Sequence, residues 1–256
     1  MRVVTTCHKE GFEGYGFRCL EGWKLWPRSA ELYWHTEGYG VDGPRVTSIE
    51  NTKVQGLQIF KERYGHHAPP SYLYDVVRFS HKVYAAYDAL FDYRGIAVWL
   101  DADCVTFKGI PEGFIESLIP KDCYMSIFDR KGMYTETGFW IMDCSHPQHQ
   151  AFLSTWVEWY ETGAFKGLAN WTDCETLDAT LRKFKRDQLI KTHSLSGEHA
   201  NFHHPMSRSQ LGEYIDHTKG GRKADGVSPE NAAHVAEGMS RSMAMASAHR
   251  KAACSR

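Results

Sequence analysis

Two groups of residues in this chain have types and spacings suited to chemistry on phosphates. Asp101 and Asp103 stand two apart where the apolar run Ile96-Ala97-Val98-Trp99-Leu100 stops. Far downstream, His217, Gly220 and Lys223 form the pattern His-x-x-Gly-x-x-Lys. Residues two apart in an extended segment point the same way, so the two carboxylates are expected to converge on one point. Two hard oxygen ligands suit magnesium or manganese held jointly with phosphate, and an added imidazole moves the preference toward manganese. In the late pattern the glycine amide can approach a phosphate and the lysine can neutralise one.

Asp-x-Asp arises by chance at roughly one position in 400 at average usage, so the pattern alone decides little. Its placement says more. An apolar run of strand length reads as a strand buried on both faces, the central strand of an α/β sheet. Ligands in such sheets bind beyond the carboxyl ends of the strands, which is where the acids fall.

The elements that must position these residues follow from periodicity. The spacing predicts a first strand over Val3–Thr6, a Gly-rich loop from Cys7 to Gly16, a helix over Phe17–Trp26 and a second strand over Glu31–Thr36. Strand, helix, strand at this spacing is a βαβ opening and implies a parallel sheet. Residues 41–55 are polar and turn-rich, and a short helix is expected over 56–64. A longer helix is expected from about Asp75 to Phe91, carrying Arg78 and Lys82 one turn apart on one face. After the acids come a short helix at Phe114–Ile119, strands at Cys123–Phe128 and from Gly138, and a helix from Pro147 to Tyr160. A last helix over Thr176–Phe184 puts Asp173 at its amino terminus, where an N-cap is the simplest role.

The chain has 256 residues, 42% hydrophobic and 24% charged, with a formal charge of −1. That describes one globular α/β domain of ordinary size and argues against a protein that coats nucleic acid. Seven scattered cysteines contain no C-x-x-C pair, so neither a disulfide framework nor a zinc knuckle is expected. No apolar stretch reaches membrane-spanning length and the amino terminus reads as a strand, so a cytoplasmic location and no membrane partner are expected. Beyond Arg222 the composition shifts to Ala, Ser, Met, Gly and charges. The expected organisation is a domain over 1–223 and a flexible or marginally helical tail over 224–256.

With both motifs in hand, the chain resembles nucleotide-sugar glycosyltransferases of the GT-A fold, and its motifs are similar to those of the glycogenin-like retaining family. The resemblance implies an α/β fold with a mostly parallel central sheet flanked by helices. It also implies Asp101, Asp103 and His217 as ligands of Mn2+ (or Mg2+), with Ala102 between the acids at the donor. Gly220 and Lys223 would hold the diphosphate, Arg78 and Lys82 would touch donor phosphate or sugar, and Val4, Thr5 and Thr6 would form the nucleotide edge. Thr137, Gly138 and Asp173 fall where the family places donor-sugar and catalytic-face residues.

The chain departs from that family where Asp173 is followed by Cys174 rather than Gln, and where Lys223 is followed by Ala224 rather than an aromatic residue. The stretches 134–143 and 211–223 look closer to small bacterial and phage-type members of the fold. The implied activity moves a sugar from a UDP-sugar to an acceptor hydroxyl, with retention. Lys82, Glu136 and Asp173 are its candidate catalytic residues. Glu136 or Asp173 would orient or deprotonate the acceptor oxygen; a carboxylate acting as base would point instead to inversion. The acceptor stays open between a glycan and a hydroxylated DNA base, the latter suggested by Lys219, Arg222, Lys223, Arg250, Lys251 and Arg256. Two rivals remain: a nucleotidyltransferase that makes a nucleotide-sugar, and a non-catalytic nucleotide-sugar or glycan-binding module.

Overall fold

In the computed structural model, residues 1–201, 204–220 and 223 are described. Strands are β1 (Arg2–His8), β2 (Glu31–Glu37), β3 (Val46–Glu50), β4 (Ile96–Leu100), β5 (Cys104–Thr106), β6 (Met125–Phe128), β7 (Glu136–Asp143), β8 (Thr192–Ser194) and β9 (Ile215–His217). Helices are α1 (Lys9–Gly11), α2 (Phe17–Gly22), α3 (Gln55–Tyr64), α4 (Val76–Leu90), α5 (Phe114–Ser117), α6 (His149–Glu161) and α7 (Asp173–Arg186). The central sheet has the order β3-β2-β1-β4-β7-β6-β8. Its first four strands are parallel, β7 runs antiparallel between β4 and β6, and β8 pairs parallel with β6. The expected α/β class with a mostly parallel sheet is the one observed.

Alternation along the strands divides the core in two. Val4, Ala97, Trp99, Trp140 and Met142 pack toward α3, α4, α6 and α7, against Phe60, Val83, Trp156 and Leu177. Val3, Val98, Leu100, Phe139 and Ile141 face the other way, onto Trp23, Trp34, Ile115, Met206 and Ile215. Strands apolar on both faces belong in the middle of such a sheet. Accordingly Trp99 and Trp140 are fully buried, opposite one another in the β4–β7 register, with ring centroids 6.0 Å apart.

Several local expectations need correction. The stretch after β1 is no glycine loop: α1 leads into a π-helical turn at Phe12–Gly16, then α2, then a 3-10 turn at Trp23–Leu25. Residues 41–55 hold β3, too short and polar for its pattern to stand out, yet paired residue by residue with β2. Strand β7 begins at Glu136 rather than Gly138. The N-cap of α7 is Thr172, whose hydroxyl accepts from the Glu175 amide at 3.3 Å. Asp173 is the first helical residue, which leaves its carboxylate for other partners. The proposed 224–256 tail lies outside the described residues, and no helix among the described residues is long and apolar enough to cross a membrane.

Candidate active site

A turn, rather than strand pleat, sets the positions of the two acids. Strand β4 ends at Leu100, and the Cys104 amide donates to the Asp101 carbonyl at 2.9 Å, folding Asp101–Cys104 back on itself. The folded segment then enters β5, which pairs antiparallel with β9 and sets Cys104 directly opposite His217. Thr218 completes the clamp, donating from its amide (2.9 Å) and its hydroxyl (2.6 Å) to the Asp103 carbonyl. Through this ladder His217 Nε2 comes to 3.0 Å from Asp103 Oδ1 and 4.0 Å from Asp101 Oδ2. The expected juxtaposition of the early and late motifs is present.

Each ligand-type side chain has a second partner that orients it. The Trp99 indole donates to Asp101 Oδ1 at 2.6 Å, and the Lys82 ammonium meets the same oxygen at 2.8 Å. That leaves Asp101 Oδ2 turned toward His217. Asp103 Oδ2 lies 2.8 Å from Lys223 Nζ, while its buried Oδ1 faces His217 Nε2. Burial alone would raise the Asp103 carboxyl; His217 and Lys223 outweigh it and hold the group well below the usual range. On its other side the His217 ring faces Glu136 Oε1, 3.6 Å from Nδ1, and lies against Gly138, where any Cβ would overlap it.

These contacts answer whether a divalent cation fits. Asp103 Oδ1 lies 3.0 Å and Asp101 Oδ2 4.0 Å from the same His217 nitrogen, donors of the oxygen and nitrogen types that suit manganese or magnesium. The ligand atoms of Asp103, Cys104 and His217 also lie within 4.8 Å of one another. Cys104 is the weak member: burial, with Asp103 and Asp101 nearby, raises its thiol well above the usual value, and the S–H donates to the Gly138 carbonyl at 3.6 Å.

A cleft of about 680 Å³ opens beside the acids, beyond the carboxyl ends of β1, β2 and β4. Asp101, Ala102, Asp103, Tyr15 and Lys223 line one part of it, with Arg78 from α4. Glu37, Lys61 and His81 form another part that the motifs did not point to. Glu37 Oε1 meets both side chains, Lys61 at 3.1 Å and His81 at 2.9 Å. Burial pushes Glu37 up, but these partners bring it down to about 2. A carboxylate at the end of the second parallel strand was readable as a site position, since ligands gather at such ends.

The remaining expectations divide. Of Val4, Thr5 and Thr6, expected at a nucleotide edge, Val4 and Thr5 are fully buried and Thr6 lines the cleft, together with Cys7 and His8. Lys82 touches Asp101, Asp173 Oδ2 at 2.8 Å and the Thr137 carbonyl at 3.0 Å, and Thr137 donates its hydroxyl to the same Asp173 oxygen at 2.6 Å. Lys82, Thr137 and Asp173 therefore form one buried network behind Asp101. Burial would lower the Lys82 ammonium, but Asp101 and Asp173 raise it well above its usual value.

Glu136 is misplaced as a base for an acceptor oxygen. It is 3% exposed and enclosed by Lys219, by Arg130 at 3.3 Å and by the Gly138 amide at 3.1 Å. Burial pushes it up, yet Lys219, His217 and Arg130 hold it well below the usual range. Gly220 is exposed with φ +58°, a left-handed conformation that glycine adopts freely.

No family model and no curated relative matches the chain. Solved structures similar to it include mouse xyloside xylosyltransferase 1 in its apo form, at 12% identity over 76% of this chain and 84% of that one, with a TM-score of 0.47. A glycosyltransferase involved in glycosylation of the major capsid of PBCV-1 matches at 11% identity over 88% and 95%, TM-score 0.46. The galactosyltransferase LgtC, in complex with donor and acceptor sugar analogs, matches at 13% over 71% and 70%, TM-score 0.44. Likenesses this distant leave the functional reading to the chain's own site.

Proposed function

We propose that the chain is a metal-dependent glycosyltransferase that moves a sugar from a nucleoside diphosphate, a UDP-sugar, to an acceptor hydroxyl. One observation supports this reading above the others: the buried Asp103 Oδ1, set 3.0 Å from His217 Nε2 at the wall of a cleft of about 680 Å³. Asp101, Asp103 and His217 would hold the cation, manganese or magnesium, which when bound supplies a Lewis acid to the leaving diphosphate.

The chain's own residues supply the rest. Lys223 lines the cleft beside Asp103 and is placed to meet the negative charge that grows on the diphosphate as the sugar leaves, a contact stronger in the transition state than in the ground state. Lys82 pairs with both Asp101 and Asp173, each at 2.8 Å. Gly220 and Arg78 complete the diphosphate contacts in this reading. The carboxylates of the proposed catalytic face, Asp173 and Glu136, are each neutralised by cations, so neither is free to serve as base, which favours retention over inversion. Glu136 supports the site through His217 instead.

The acceptor in this reading is a glycan or a hydroxylated DNA base. Lys219 and Lys223 pair with Glu136 and Asp103, and Arg222, Arg250, Lys251 and Arg256 lie outside the described residues.

The test is incubation with UDP-sugars and manganese. Metal-dependent release of UDP, with retained anomeric configuration in the product by NMR, supports the reading. Pyrophosphate formation would assign nucleotidyltransfer, and binding without turnover a recognition module.

A further inference from the structure

We infer that Arg18 is a positioning residue for phosphate binding: it pins the backbone of Lys223 so that the ammonium is presented to a diphosphate in the cleft. The inference rests on the reading of the cleft as a nucleoside diphosphate site and names the residue that prepares it.

The late motif reaches the cleft on a thin support. Beyond Thr218, among the described residues, the backbone is tied by the amide of Lys223 donating to the Gly220 carbonyl at 3.2 Å, a single turn. The lysine stem is long and flexible, so one turn alone would leave the ammonium spread over many positions. Three further contacts narrow it. Arg18 Nη1 donates to the Lys223 carbonyl at 2.8 Å, from 205 residues earlier in the chain. Lys223 Nζ sits over the Tyr15 ring, 4.7 Å from its centroid, and 2.8 Å from Asp103 Oδ2.

Arg18 and Tyr15 come from one continuous helical stretch, the π-helical turn Phe12–Gly16 running into α2. A wider π turn changes which residues face a given side, and such turns recur at functional sites. Here it puts Tyr15 on the ammonium while the next turn puts Arg18 on the backbone of the same residue. Both ends of Lys223 are thus gripped by a segment packed beside β1, at the cleft wall. A guanidinium suits the task because it donates from a rigid fork and keeps its charge at any working pH. Arg18 acts through Lys223, not on the ligand.

The experiment is calorimetric titration of the full chain, in manganese, with UDP and separately with uridine. It compares wild type, Arg18→Ala, Lys223→Ala and the double variant. Arg18→Ala is expected to weaken UDP binding about tenfold, the scale of one hydrogen bond to a charged group, and to leave uridine unchanged. In the Lys223→Ala background the same substitution is expected to cost nothing more, because its effect passes through that lysine.

Equal UDP affinity in wild type and Arg18→Ala overturns the inference, as do additive losses in the double variant or a matching loss for uridine. Where thermal melting shows Arg18→Ala to be unfolded, Arg18→Lys takes its place: it keeps the charge and loses the fork, and the same outcomes support or overturn the inference. A wild type that binds no UDP at all overturns the nucleotide-sugar reading itself, and this inference with it.

Discussion

Trp99 and Asp101 are joined by an indole N–H donated to Oδ1 at 2.6 Å, and that bond divides the work of the two carboxylate oxygens. Oδ1 is spent on Trp99 and Lys82, so Oδ2 alone is turned toward His217. Because Trp99 is fully buried and stacked on Trp140, the orientation of Asp101 is inherited from the core of the sheet. Trp99→Phe keeps most of the apolar contact and removes the donor. Loss of such an orienting partner typically weakens metal binding 10–100-fold, and about tenfold is expected here. Manganese titration followed by electron paramagnetic resonance in the presence of UDP measures it; unchanged affinity would show that Lys82 suffices.

Gly138 is required for a steric reason. The His217 ring occupies the space a Cβ would fill, so Gly138→Ala forces the imidazole away from Asp103. Displacing a reacting constellation by about 1 Å can cost roughly 100-fold in rate, and a loss of that order in kcat is expected. The same variant should bind manganese more weakly while uridine binding holds. Wild-type kinetics in Gly138→Ala would mean that His217 does not contribute at the position described.

Lys82 stands between two acids with side-chain exposures of 26% and 4%, so removing it strands a buried charge at Asp173. Breaking one partner of a buried pair typically costs 3–5 kcal/mol, and Lys82→Ala is expected near the lower end, about 3 kcal/mol, because Asp101 is partly solvated. Adding Asp173→Asn should recover part of the loss, since the stranded charge is gone. Urea denaturation of the two single variants and the double decides it. Additive destabilisation would contradict a shared network.

How far the sequence shows this site depends on how local each feature is. The buried strand Ile96–Leu100 and the helix over Val76–Leu90 are written in runs and periodicities of adjacent residues, and they formed where expected. The pairing of Cys104 with His217 is written nowhere locally; it depends on two three-residue strands whose patterns are too short to read. The place of Asp173 is obscured because Thr172 and Asp173 are both good caps, and the structure selects the threonine. Val4 is withheld from the cleft because its side chain packs into the core against the helices, a fact of tertiary packing. Glu37, Lys61 and His81 meet from β2, α3 and α4, and only packing brings them together.

His35 ties the stability of the fold to pH. It lies on β2 at 0% exposure, and burial brings it down from 6.5 to about 4, against a smaller upward pull from Asn51 and with His81 lowering it further. Asp88 lies 3.8 Å from Nε2 with its side chain 40% exposed. A histidine depressed in the folded state binds fewer protons there than in the unfolded chain between those two pH values. Stability from this residue is therefore complete above about pH 6.5 and falls away as the pH drops toward 4, by on the order of 3 kcal/mol in all. His35→Leu removes the titrating group while keeping an apolar side chain in its place. It should flatten the melting temperature across that window relative to wild type, with the difference between the two greatest at the acid end. Thermal melts at several pH values between 4 and 7 read this directly, and parallel curves for the two proteins would assign the acid sensitivity to other groups.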